Sequence, residues 1–312
     1  MNRFEMFLNA EGIPGDRKVL DTIIQFPHLR DELHFINNGM AAISLYERSA
    51  NVPRTETRVH VRAKSGVVID GPMVFTGIQS ASFFQAFRRE KDSGDFIPSV
   101  LKVPRNPGQA ELECMVWNEV GAAAMANDLS LVPVEYVSLG GYHSVLTSKD
   151  KSDMTHVRAG VLMPQYACTL ANMPVPVDET YGLHVFDRIF AALEFLHEHA
   201  WMHGDVKPSN IFIDAVGRSW LGDYGSSQPF DKVVSQYTGG TPAYQCDEAR
   251  TQLLSGGSPI WFDKIGLAIS ILCRLGLVDV RTVTDPWPLQ AIKTAADRVL
   301  SGKLKDVIIS TL

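Results

Sequence analysis

Apolar residues recur at helical spacing in two early stretches, Asp16–Ile24 and His28–Tyr46, with turns at Gly12-Ile13-Pro14-Gly15 and Phe26-Pro27. Residues 1–57 therefore predict a helical N-terminal extension, closing on the polar, proline-bearing segment Glu47–Thr57. From Arg58 the period changes to two. Arg58–Ala63, Val67–Asp70 and Met73–Phe75 cluster β-formers between glycines and predict short antiparallel strands, followed by strands at Phe83–Phe87 and Ser99–Pro104. After Pro107-Gly108 the helical period returns over Ala110–Asn127, with Met115, Val116, Val120 and Ala123 to one side. Leu131–Val137 and Val157–Met163 predict two more strands flanking the polar stretch Gly140–Thr155. Beyond Pro174-Val175-Pro176 the chain turns helical. Tyr181–His199 is periodic in Leu183, Phe186, Ile189, Phe190, Leu193 and Leu196. Ile265–Leu275 is apolar all round, as a central core helix should be, and Leu289–Leu300 predicts a last helix. The fold class is α+β: a small antiparallel β lobe, then a larger, mainly helical one.

Length and composition narrow the picture without changing it. The 312 residues suit two lobes or two small domains at about 150 residues each. A net charge of −6 argues against a non-specific grip on nucleic acid or on an anionic membrane. The four cysteines, Cys114, Cys168, Cys246 and Cys273, are far apart and form no C-x-x-C pair, which fits a reducing compartment better than a disulfide scaffold or a zinc site. Met1–Ala10 lacks the apolar core of a secretory signal, and no run approaches the ~20 apolar residues of a membrane span. The expectation is an intracellular protein, cytoplasmic or nuclear.

The chemistry concentrates in His203-Gly204-Asp205-Val206-Lys207-Pro208-Ser209-Asn210, a polar loop between a helix and the β-branched, aromatic strand Ile211–Ile213. The Asp205 carboxylate can accept a proton from an attacking hydroxyl. The Lys207 ammonium can neutralise charge on a migrating phosphoryl group, and Asn210 can offer its oxygen to Mg²⁺. A second carboxylate, Asp223, follows 18 residues after Asp205, in Leu221-Gly222-Asp223-Tyr224-Gly225. It is suited to holding a metal against phosphate oxygens.

These two stretches resemble the catalytic loop and the D-F-G element of eukaryotic-type protein kinases. Gly240-Thr241-Pro242-Ala243-Tyr244-Gln245-Cys246-Asp247-Glu248 resembles the G-T-x-x-Y-x-A-P-E end of an activation segment, with Cys246-Asp247 in place of Ala-Pro. The resemblance implies that Thr241 reaches Asp205 and that Glu248 anchors the segment, against an arginine that is either Arg281 or Arg298. Asp263 matches the buried aspartate that supports the catalytic loop. His203 is expected to brace that loop, and His197 and His199 to be surface or capping residues. The H-G-D loop and the Gln-Cys-x-Glu run show a slight similarity to mitotic-checkpoint Bub-type kinases.

The resemblance extends into the smaller lobe. Val100-Leu101-Lys102 resembles V-A-I-K, where the amine grips the α and β phosphates of ATP, and Asn118-Glu119-Val120 resembles the segment carrying its acidic partner. Glu119 is therefore the expected partner of Lys102, ahead of Glu111 and Glu113 in the first helical turn. A phosphate-covering loop is expected at residues 77–84, where only Gly77 of three glycines is present and Gln79 and Ser82 occupy the other places. Leu162-Met163-Pro164-Gln165 resembles the hinge, with Met163 guarding the rear pocket and the backbone near Gln165 meeting adenine. The implied layout is an extension over 1–57 and a kinase domain over 58–312. Its smaller lobe spans about 58–163 and its larger about 167–312. The larger lobe is abbreviated, with about fifty residues after Asp263.

The implied activity is transfer of the γ-phosphoryl group from Mg-ATP to Ser or Thr of a protein. Asp205, Lys207, Asn210 and Thr241 are the catalytic set; Gly77, Ser82, Lys102, Glu119, Met163, Gln165 and Asp223 bind the nucleotide; Asn210 and Asp223 hold the metal. Gly204 replaces the arginine that would receive a phosphorylated activation loop, so activity is expected not to need hydroxyls at Ser226, Ser227, Ser235, Tyr237 or Thr238. Residues 1–57 buttress the next lobe or dock a partner. The rival readings are a pseudokinase, favoured by the poor glycine loop, and a small-molecule kinase of the aminoglycoside or choline type, disfavoured by residues 239–248.

Overall fold

A computed structural model describes residues 34–37, 41–45, 58–63, 68–74, 81–89, 96–104, 107–138, 159–173, 176–232, 239–281 and 283–312. The chain divides into two compact units: residues 1–111 with 134–165, and residues 112–133 with 166–312.

The first unit is built on an eight-stranded sheet of antiparallel neighbours. Its strands are β1 (His34–Asn37), β2 (Ala41–Leu45), β3 (Arg58–Ala63), β4 (Val68–Val74), β5 (Ala81–Arg89), β6 (Phe96–Pro104), β7 (Glu135–Ser138) and β8 (Ala159–Pro164). They lie in the order β1-β2-β3-β4-β5-β6-β8-β7. Each neighbouring pair up to β6 is consecutive in the chain. The β4–β5 register slips between Ile69 and Met73, where Gly71 and Pro72 weaken a ladder that neither residue supports well.

The helical spacing of His28–Tyr46 is overturned in its described part, since residues 34–37 and 41–45 are strands. They pair His34 with Leu45, and β2 in turn pairs with β3 from Ala41↔Ala63 to Leu45↔Val59. A short apolar run fits either period; Asn38-Gly39 between the two runs is a hairpin signal, and pairing with β3 decides the choice. These strands continue the sheet rather than forming a helical appendage. The rest of residues 1–57, the linker Glu47–Thr57 and the polar stretch Gly140–Thr155 lie outside the described residues.

The second unit is mainly helical. It takes in most of α1 (Pro107–Ala126), then α2 (Glu179–Glu198), α3 (Asp247–Leu254), α4 (Pro259–Arg274), α5 (Leu289–Ala296) and α6 (Gly302–Thr311). Asp178 caps α2 by accepting from Tyr181 N at 2.8 Å, and the helix buries Val185, Phe186, Ile189, Ala192, Leu193 and Leu196. Ser258 caps α4 with Pro259 behind it, and α4 is buried nearly all round, as its apolar sequence requires. Gly266 lets α4 approach the loop His203–Asn210: a Cβ there would lie 3.1 Å from Val206 O. The Glu179 carboxylate accepts from Leu300 N at 2.8 Å and from Ser301 N, fixing the start of α6.

Two small sheets complete this unit. One orders β9 (Cys168–Thr169), β11 (Ile211–Ile213) and β12 (Ser219–Leu221) as β12-β11-β9; the other pairs β10 (Trp201–Met202) with β13 (Gln228–Pro229). β10 delivers the chain to His203, and β12 delivers it to Asp223.

Candidate active site

The loop after β10 hangs from one carboxylate. Asp263, 1% exposed on α4, accepts from His203 N and Gly204 N at 2.8 Å each and is 2.9 Å from His197 Nε2. Three donors offset the desolvation of this buried acid. Gly204 meets Asp263 at a φ of 80°, where a side chain would be strained. His197 is thus a buried ligand of Asp263, not the surface residue its sequence position suggested, while the His199 ring stays local, 2.8 Å from Phe195 O.

His203 joins this loop to the next. Asp205 N donates to its Nδ1 at 3.3 Å, and its Nε2 lies 3.0 Å from Gly222 O, a carbonyl that only accepts. Both contacts are satisfied by the tautomer with hydrogen on Nε2, so the ring serves as a brace.

The expected catalytic residues converge. Asp205 Oδ2 lies 2.6 Å from Lys207 Nζ and 3.3 Å from Asn210 Nδ2, while Oδ1 accepts from Thr241 Oγ1 at 2.9 Å. Lys207 Nζ also donates to Thr241 Oγ1 at 2.8 Å, so the threonine hydroxyl bridges amine and carboxylate. Asn210 Nδ2 donates to Asp205 O at 2.8 Å, which fixes the amide and leaves Oδ1 as a hard oxygen donor. The turn Pro208–Asn210 closes the loop through Asn210 N to Lys207 O at 2.9 Å.

Asp223 has φ 65° and ψ 71°, a left-handed conformation that a short polar side chain tolerates, and its Oδ1 accepts from Gly225 N at 3.4 Å. Gly222 permits the close packing before it, because a Cβ would lie 2.7 Å from Val132 Cγ2. Tyr224 is wholly buried, its hydroxyl 3.0 Å from Val132 O and 3.1 Å from Leu221 O; burial pushes that phenol well above its usual range. Leu221 N donates to Ser130 O at 2.7 Å and Val132 N to Leu221 O at 2.8 Å, tying the segment after α1 to the strand before Asp223.

Glu119 is exposed. The buried acid of α1 is Glu113, 0% exposed, with Oε1 3.1 Å from where a Cβ on Gly225 would fall. Helical spacing explains the difference: Glu113 follows Ala110 by one turn and precedes the buried Val116 and Val120, whereas Glu119 shares a side with exposed Met115 and Ala122. The signal was present in the sequence as the buried stripe of α1.

The nucleotide residues expected in the first unit sit as follows. Lys102 is 5% exposed on β6, paired with Phe83 of β5 and Val161 of β8. Met163 is buried on β8 opposite Val100. Gln165 is exposed, and its backbone N–H, expected near adenine, donates to Pro98 O at 3.1 Å. Ser82 lies on β5 opposite Val103. Gly77 lies outside the described residues.

Glu248 is exposed and accepts from Cys246 Sγ at 3.0 Å and Leu289 N at 2.9 Å. The thiol hydrogen bond holds this carboxylate below its ordinary range, and burial pushes the Cys246 thiol up to about 11, keeping it a neutral donor. Neither expected arginine appears as the partner of Glu248: Arg281 pairs with Asp279 at 2.8 Å, and Arg298 donates to Leu277 O at 3.3 Å.

A Mg²⁺ fits the chemistry of Asn210 Oδ1 and the Asp223 carboxylate. Among the described residues no group of three or more His, Cys, Asp or Glu side chains forms a metal cage. An ion here would complete its shell with phosphate oxygens and water, as magnesium commonly does.

The family model for the protein kinase domain matches residues 142–257, which contain 203–210, 223–225 and 239–248. A calcium/calmodulin-dependent protein kinase kinase from Caenorhabditis elegans is 34% identical over 146 residues, 44% of this chain and 27% of that protein. Mitogen-activated protein kinase kinase kinase A from Dictyostelium discoideum is 35% identical over 103 residues, 32% of this chain and 10% of that protein. These similarities support a eukaryotic-type protein kinase superfamily, through the kinase-domain match over residues 142–257 and the kinases it resembles there. The solved kinase PK-1 of the Cydia pomonella granulovirus shares the fold, with a TM-score of 0.51 at 17% identity over 74% of this chain and 82% of that one. These matches to curated relatives span about a quarter of each relative's length or less. Lys102 and Glu113 lie outside the matched segment 142–257. Among the described residues, no helix is long and apolar enough to cross a membrane.

Proposed function

We propose that this chain transfers the γ-phosphoryl group of ATP to a serine or threonine hydroxyl of a protein. The observation that carries this reading is the Asp205 carboxylate, held at 2.6 Å by Lys207 and 2.9 Å by Thr241 at the end of a loop suspended from Asp263. Asp205 retains lone pairs to accept from an acceptor hydroxyl, orienting its oxygen and taking its proton as the bond to phosphorus forms. Lys207 offsets charge on the phosphoryl oxygens, and Thr241 fixes both groups. Mg²⁺, held by Asn210 and Asp223, would supply further neutralisation on the phosphates. Lys102 grips the α and β phosphates, and the acid of α1 that serves the transfer is the buried Glu113 rather than the exposed Glu119. Most of the rate enhancement comes from position and field rather than covalent chemistry.

With glycine at 204 there is no guanidinium to receive a phosphorylated activation segment, so turnover should survive phosphatase treatment. The decisive experiment incubates labelled ATP and generic protein acceptors with wild type, Asp205→Asn and Lys102→Met. Loss of the base should slow turnover about 10²–10⁴-fold with the fold retained. Glu113→Gln should lower turnover roughly tenfold or more and Glu119→Gln should leave it unchanged; the reverse result would restore Glu119. A nucleotide-binding scaffold is the second reading, favoured by the single glycine in residues 77–82. It predicts a Mg-ATP thermal shift with no turnover in wild type.

A further inference from the structure

Residues 239–248 are stitched to one short stretch of chain, Trp287–Leu289. Trp287 N donates to Gln245 O at 2.8 Å and Asp247 N donates to Trp287 O at 3.0 Å, flanking a parallel bridge between Cys246 and Trp287. The indole Nε1 of Trp287 donates to Ala243 O at 2.8 Å, and Leu289 N donates to Glu248 Oε2 at 2.9 Å. Within the segment, the buried Gln245 turns its Nε2 onto Gly239 O at 3.1 Å. Ala243 lies in the turn Pro242–Tyr244, which is closed by Tyr244 N to Thr241 O at 2.9 Å. A continuous path therefore runs from the Trp287 indole through one turn of backbone to Thr241 Oγ1, and from there to Asp205 and Lys207.

We propose that Trp287, assisted by Gln245, is a positioning residue for the phosphoryl transfer proposed above, and it rests on reading 239–248 as the end of an activation segment. The two side chains hold that segment so that Thr241 stays between Asp205 and Lys207 without a phosphate. The backbone bonds at 287 tolerate any residue with a free N–H. The indole N–H is the one side-chain donor from this stretch that reaches the turn carrying Thr241, and Ala243 is nearly buried, so its carbonyl has little water to replace that donor. All of these donors are neutral. The segment thus carries its own fastening where Gly204 offers no cation for a phosphoryl group.

The test compares wild type with Trp287→Phe, which keeps an aromatic ring but loses the donor and part of the indole's bulk, and with Gln245→Met, which keeps the length of the side chain and deletes its donor. Amide hydrogen exchange is followed at Tyr244, Gln245 and Asp247 and at the distant α4, alongside thermal melting. Steady-state turnover of a generic protein acceptor is measured on the same preparations. The expected result is exchange roughly threefold to tenfold faster at 243–247, unchanged exchange in α4, kcat lowered several-fold and KM for ATP unmoved. Unchanged exchange at 243–247 in both variants overturns the proposal, as does acceleration spread through α4, which would mark a general structural role. If wild type shows no turnover, the kinase reading fails, while local exchange still decides whether Trp287 fastens the segment.

Discussion

Two acidic residues fasten the candidate site from opposite environments. Asp263 is buried in α4 and takes three donors, two of them backbone amides of the catalytic loop. Glu248 is exposed and takes one thiol and one amide. The contrast separates two ways of placing a functional group. The loop His203–Asn210 hangs from a buried acid, where each unpaired polar atom is expensive, while the segment bearing Thr241 is held by neutral donors, those on Glu248 meeting an exposed carboxylate. A loop that must hold its acid still belongs to the first class. A segment that, under the proposed function, admits and releases an acceptor protein suits the second.

The comparison is broken most directly at Asp263. Asp263→Ala strands the amides of His203 and Gly204 and the ring of His197, and should cost about 3–5 kcal/mol, read as a large fall in melting temperature. A fall no larger than that of a surface substitution would remove the idea of a core anchor. Next comes Gly204→Ala, which forces a Cβ onto a residue at φ 80° and should cost ~1–2 kcal/mol in denaturant unfolding; a neutral result would mean the loop relaxes freely. Glu248→Gln should be the mildest, under ~1 kcal/mol.

Acid titration sharpens the last case. Because the folded pKa of Glu248 is depressed, its contribution to stability is present above the ordinary carboxylate pKa and is lost as pH falls through the folded value. Melting curves of wild type and Glu248→Gln should therefore differ most near neutrality and converge in strong acid. Divergence toward low pH would reverse the assigned sign.

Much of the site was legible as local pattern. His203–Asn210, Asp223-Tyr224-Gly225 and Gly240–Glu248 each carry several chemically specific residues within one loop, so their types and spacing announce the chemistry. The strands of residues 58–104 and the helices α1, α2 and α4 followed from period. Elsewhere the local signal had two solutions. His34–Leu45 fits a helix as well as a hairpin until β3 is there to pair with it. Glu113 and Glu119 are both acids on one helix, and only packing showed which is buried. His197 meets Asp263 across 66 residues, and Trp287 meets Ala243 across 44, so no window along the chain contains either pair.

By itself, then, the sequence determined which loops gather the polar residues of the candidate site and the main helices that flank them, because hydrophobic period and loop composition are local properties. Which carboxylate of α1 is buried, what suspends the catalytic loop and what fastens Thr241 were decided only by tertiary structure. Burial and hydrogen-bond partnership depend on segments distant in the chain, and the free energy of a polar group is set by what surrounds it rather than by its neighbours in sequence.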